Sequence, residues 1–102
     1  MVHEILPVGA ENAVPGKHLA RCLDLDLREL TKQIERERQA GKPICAVVSG
    51  DDRGYFLAED PIELALYCKS LDRRLRNIQK TRRAVGATLA RMVSQEEINW
   101  GD

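Results

Sequence analysis

No stretch of this 102-residue chain approaches the roughly 20 consecutive apolar residues that span a bilayer, so no membrane partner is expected. The opening residues, MVHEILPVGAEN, lack the basic and apolar regions of a secretory signal, and a cytoplasmic location is expected. There is no excess of either charge, because 16 Lys and Arg balance 16 Asp and Glu. Net neutrality argues against indiscriminate adhesion to polyanions, which feeds on positive charge. There is no CxxC and no close cysteine pair among Cys22, Cys45 and Cys68. An odd count at wide spacing fits a reducing compartment and small buried apolar residues. His18 and Cys22 share a helix face but have no second ligand pair, so no metal site is expected. A nucleophile elbow, a phosphate loop, HExxH and a clustered carboxylate pair are all missing. An enzyme is therefore not expected, and neither a cofactor nor a small-molecule substrate is implied.

What is there is a succession of short, well-punctuated elements. Pro15 suits a first helical turn, and Leu19, Ala20, Cys22 and Leu23 supply an apolar face on a helix of about two and a half turns. Asp24-Leu25-Asp26 makes a tight turn. Asp26 and Glu29 then form a D-x-x-E capping box for a second helix. Leu30 and Ile34 mark its buried face, with Leu27 extending or flanking it, until Gly41 stops the helix and Pro43 prevents its resumption. Ile44 to Val48 reads as a strand, Ser49 to Gly54 as turn chemistry and Tyr55 to Leu57 as a returning strand.

Asp60 and Pro61 open a last helix that nothing forbids until about Val93. Apolar residues alternate at four and three along it: Leu64, Cys68, Leu71, Leu75, Ile78, Val85, Leu89 and Met92, with Arg82 interrupting. This sustained heptad seam would run for about 50 Å, longer than a small domain can cover. Ile62, Ala65, Leu66 and Tyr67 are expected to complete the core of the preceding domain. Leu71, Leu75, Ile78, Val85, Leu89 and Met92 are expected to pair two copies as a homodimer. Gly86 weakens the helix and is a candidate bend. The division expected is 1–60, 61–93 and a tail, 94–102, frayed or loosely docked through Ile98 and Trp100.

The segment HLARCLDLDLRELTKQIERERQAGKPI followed by GYFL resembles the winged-helix family typified by the N-terminal domain of the biotin operon repressor. The matching residues are Leu19, Ala20, Leu23, Leu25, Asp26, Leu30, Lys32, Ile34, Arg38, Gly41, Ile44, Gly54, Tyr55 and Leu57, over about half the chain. ENAVPGKHLA, QIERERQAGKPI and the long basic last helix are also similar to small prophage-type winged-helix proteins of bacteria. The resemblance implies a mainly α fold with a small β-hairpin, a winged helix-turn-helix followed by a long C-terminal helix. It implies double-stranded DNA as partner, in transcription regulation or replication.

On that reading Arg28, Thr31 and Lys32 enter the major groove, Arg36 and Arg38 serve phosphate, and the wing residue Arg53 enters a minor groove or offsets Asp51 and Asp52. Arg28–Lys32 and Lys32–Arg36 are like-charged neighbours at i, i+4, which favours an anionic partner. The last helix adds eight basic residues between 61 and 92 against only Glu63 and Asp72, a second candidate phosphate surface. The departures from the family pattern are Asp24 for the turn glycine, Leu27 for a groove-facing arginine, Glu37 for a buried leucine, and an acidic wing tip at Asp51 and Asp52. Asp can enter left-handed geometry, so the turn is expected to survive. Leu27, the acidic wing and net neutrality suit a rival reading, a protein-interaction adaptor built on the same fold.

Overall fold

A computed structural model describes residues 1–47 and 53–100, apart from the side chains of 96–100. Two helices, α1 (Gly16–Leu23) and α2 (Leu27–Gln39), lead into a hairpin of β1 (Ile44–Val47) and β2 (Gly54–Leu57), then α3 (Pro61–Trp100). Short 3-10 turns at Val2–Glu4 and Ala10–Asn12 precede them. The chain is mainly helical, with one small antiparallel hairpin and a long C-terminal helix. No helix among the described residues is long and apolar enough to cross a membrane. The end of the first expected strand at Val48, the turn Ser49–Asp52 and the acidic pair Asp51 and Asp52 lie outside the described residues.

Local chemistry accounts for the two helices and the turn between them. Pro15 is the residue before α1, one position earlier than its first-turn placement, with φ −57° and ψ 143°. Asp24 ends α1 in left-handed geometry at φ 55°, ψ 45°, the role a glycine often fills. Two residues later the Asp26 carboxylate accepts the Glu29 N–H at 2.7 Å, and the Glu29 carboxylate accepts the Asp26 N–H at 3.2 Å. That reciprocal box satisfies two donors that a helix start leaves unpaired. At the other end Gly41 takes φ 97°. Its N–H donates to Arg38 O and that of Lys42 donates to Glu37 O, closing α2.

The chain divides into two compact units, Met1–Cys68 and Lys69–Asp102. The boundary falls inside α3 rather than at its start, because the first turns of the helix are tied to the first unit. Asp60 caps α3 through the Glu63 N–H at 2.9 Å, and the Glu63 carboxylate accepts the N–H groups of Ala10 and Glu59.

In the first unit Leu19 and Ala20 of α1, Leu30 and Ile34 of α2, and Ile44 of β1 form the core with Val2 and Leu6. Val14, Leu23, Tyr55 and Leu57 pack around it. The N-terminal segment thus contributes two core side chains and also extends the sheet. Val14 and Tyr55 exchange both backbone hydrogen bonds at 2.9 Å, and the Leu57 N–H donates to Pro7 O at 2.8 Å. β2 therefore lies between β1 and this segment. Gly54 is obligatory there, since a Cβ would collide with the Val14 carbonyl.

Several packing expectations are corrected. Cys45 is buried, but Cys22 and Cys68 are exposed, so Cys22 is not part of the α1 apolar face. Ile62, Ala65 and Leu66 do not complete the core: Ile62 is 70% and Leu66 61% exposed. Glu63 and Tyr67 are the half-buried positions of that turn, drawn in by a hydrogen bond to Ala10 and a contact with Arg38. The 94–102 segment is helical as far as Trp100, and α3 continues through Gly86 without interruption.

Candidate functional site

A helical period of 3.6 puts Arg28 and Lys32 roughly opposite Leu30 and Ile34 on α2. The structure agrees: Leu30 and Ile34 are 1% exposed, whereas Arg28, Thr31, Lys32 and Arg36 are all open to solvent. Among the described residues none of these three cations makes an ion pair within 4.0 Å. Glu35 shares the exposed face, and Arg36 approaches the Gln33 amide oxygen at 3.5 Å. The Thr31 hydroxyl donates to Leu27 O at 2.8 Å, leaving its lone pairs and methyl group for a partner.

Beside the start of α2 lies an open cleft of about 420 Å³. Its floor is apolar, from Leu27, Ala46, Val47 and Tyr55, and Lys17 and Arg53 stand at it as exposed cations. Leu27 is 48% exposed there, so it flanks the core instead of extending it. Lys17, in the first turn of α1, joins this surface because the chain just before it is paired to β2 at Val14 and Tyr55. Its spacing to Arg53 carries no sequence signal, because the two are brought together only by the pairing of Val14 with Tyr55.

Arg38 does not belong to the outward face, which corrects its assignment to phosphate contact. Its Nε donates to Ile44 O at 2.8 Å, and its guanidinium lies 4.8 Å from the Tyr67 ring centre and 5.8 Å from that of Tyr55. The charge is used to clamp α2, β1 and the first turns of α3 together, through a backbone acceptor and two aromatic faces. Four residues of helix separate Arg38 from Ile34, and that spacing turns it to the buried side.

Glu37 occupies the neighbouring inward position and is 3% exposed. Its carboxylate accepts the N–H groups of Val2 and His3 at 2.9 and 2.8 Å and the Gln33 amide at 2.8 Å, with His3 Nδ1 at 2.5 Å. Burial by itself would push this carboxyl up. The His3 N–H, the Gln33 amide, the His3 ring and the Val2 N–H outweigh it and hold the group at about 2. The periodicity of Leu30 and Ile34 already marks position 37 as inward; its partners lie in the N-terminal segment, beyond the reach of sequence spacing.

Burial pushes the Cys45 thiol up, with Glu63 reinforcing it and Arg38 opposing. That is the environment of a packing residue rather than a reactive thiolate. Among the described residues no three His, Cys, Asp or Glu side chains converge as a metal site would require. On α3, all six seam residues are exposed, from Leu71 at 40% to Ile78 at 63%. Comparison with protein-family models, with curated proteins and with solved structures finds no match.

Proposed function

We propose that this protein is a winged helix-turn-helix DNA-binding protein that acts as a homodimer, with a role in bacterial or prophage transcription regulation or replication. The observation that carries the reading is the solvent-open Arg28–Lys32 pair, without an ion-pair partner among the described residues, on the face of α2 opposite the core. Two cations one turn apart repel each other, and an anionic partner relieves that repulsion. Arg28 and Lys32 have the donor chemistry for guanine edges and Thr31 for a weaker contact, while Arg36 and Arg53 suit phosphate. Lys17 at the cleft joins them as a third phosphate candidate. Because the whole chain is neutral, affinity for bulk nucleic acid is expected to be modest, with discrimination resting on this local surface.

The exposed stripe Leu71, Leu75, Ile78, Val85, Leu89 and Met92 supports pairing through α3. A symmetric pair would present two copies of α2 to two half-sites. Binding of the purified protein to a randomised duplex pool at stepped salt tests the reading. Retention that falls steadily as salt rises, with enriched sequences among the bound fraction, is expected. An absence of salt-dependent retention at low ionic strength overturns it.

One observation favours a second reading, a protein-interaction adaptor: the half-exposed Leu27 in its apolar cleft with Ala46, Val47 and Tyr55. A pull-down after nuclease treatment separates the two. Partners that persist without nucleic acid and are lost with Leu27→Asp support the adaptor.

A further inference from the structure

The seam of α3 contains one cation, Arg82, and the helix between Leu64 and Gln95 contains one acid, Asp72. Ten residues of helix place these groups about 15 Å apart along one axis, too far to meet within a chain. Asp72 makes no ion pair among the described residues, although Lys69, Arg73 and Arg76 stand close to it in sequence. In heptad terms the 3–4 alternation puts Cys68, Leu75, Arg82 and Leu89 at a, and Leu71, Ile78, Val85 and Met92 at d. Asp72 and Gly86 then occupy e, the flank next to a.

Two details of α3 show which flank Arg82 uses. A Cβ at Gly86 would collide with Arg82 Nη1, so the guanidinium lies over Gly86, on the e side of the stripe. Beside it Ile78, Thr81, Arg82 and Val85, with Asn77, bound an open recess of about 430 Å³. Residues i, i+3, i+4 and i+7 are the four that form the hole for a knob from a facing helix.

We propose that a second copy of this chain packs antiparallel on α3, centred between Arg76 and Asn77, with Arg82 of each copy paired to Asp72 of the other. This rests on the dimer reading above and gives it an orientation and a register. A parallel in-register pair sets Arg82 against Arg82 and offers neither copy's Asp72 a cation across the seam. In an antiparallel pair the e flanks face one another, so the partner's e residues approach the side to which Arg82 is turned. With the stated centre, Leu71 of the second copy fills the recess bounded by Ile78, Thr81, Arg82 and Val85. Its neighbour Asp72 then lies beside the guanidinium over Gly86. Leu75 meets Ile78 at the middle. A shift by one heptad of pairing keeps apolar contacts but carries Asp72 about 9 to 12 Å along the axis from Arg82, so the charges select the register.

Mass in solution, a charge swap and spin-label distances test this together. In protein with Cys22 and Cys68 replaced by Ser, labels at Ala90→Cys are expected to be offset by about 40 Å along the helix axis, and at Lys80→Cys by about 10 Å. A parallel dimer gives no offset at either position and overturns the orientation while leaving the dimer intact. Arg82→Glu and Asp72→Arg are each expected to weaken dimerisation about tenfold, and the double variant to regain most of that loss. A double variant no tighter than the weaker single one overturns the ion pair. A monomer at all concentrations overturns the dimer reading itself, and the inference with it.

Discussion

The Glu37 carboxylate accepts the Val2 N–H at 2.9 Å, joining the last turn of α2 to a segment 35 residues earlier. Val2 is fully buried and Glu37 nearly so, which places a charge in the wall of a small core. A charge so placed is stable only because donors surround it.

This arrangement predicts an acid-sensitive fold. Glu37 sits at about 2 in the folded protein against an ordinary value of 4.5. A depressed carboxyl contributes its full stabilisation above the unfolded value, and loses it as pH falls from about 4.5 toward 2. The difference corresponds to about 3 kcal/mol. Urea midpoints measured between pH 7 and pH 2 should fall across that window, and Glu37→Gln should flatten the fall while lowering stability at pH 7. An unchanged slope in the variant would assign the acid transition to other carboxylates.

The cations of α2 should separate cleanly by function. Arg28→Glu with Lys32→Glu is expected to abolish sequence preference in duplex binding with stability changed by less than about 0.5 kcal/mol, as is usual for surface positions. Arg38→Ala should do the reverse, lowering stability by about 2 kcal/mol through the lost Ile44 hydrogen bond and ring contacts while keeping the preference. Binding selections and denaturant curves on the two variants check both halves.

Two leucines three residues apart should differ as sharply. Leu30 is 1% exposed and Leu27 48% exposed. Leu30→Ala is expected to cost about 3 kcal/mol by transfer and cavity terms, and Leu27→Ala under about 1 kcal/mol. Equal losses in thermal or urea unfolding would mean that Leu27 is part of the core after all.

Gly54 and Gly41 make a further pair. Ala at Gly54 meets the Val14 backbone, and the collision is relieved by moving β2 away from the N-terminal segment. A loss of about 3 kcal/mol is expected. Ala at Gly41 meets no atom within 4 Å and pays only for φ 97°, so about 1 kcal/mol is expected. Thermal unfolding of the two variants gives the comparison.

What the sequence by itself determined is the set of features decided within one or two helical turns. Asp24 in left-handed geometry, the Asp26–Glu29 box, the Gly41 stop, the Asp60–Pro61 start of α3 and its 3–4 seam each depend on neighbours a few residues away. Local spacing was therefore enough to read them. Tertiary structure alone decided which side chains meet across the chain. Arg38 met Tyr67, Glu37 gained Val2 and His3, Val14 paired with Tyr55, and Ile62 and Leu66 were left outside while Glu63 was drawn in toward Ala10. Such choices turn on contacts between segments dozens of residues apart, where a buried donor must find its acceptor and no periodicity records which one it takes.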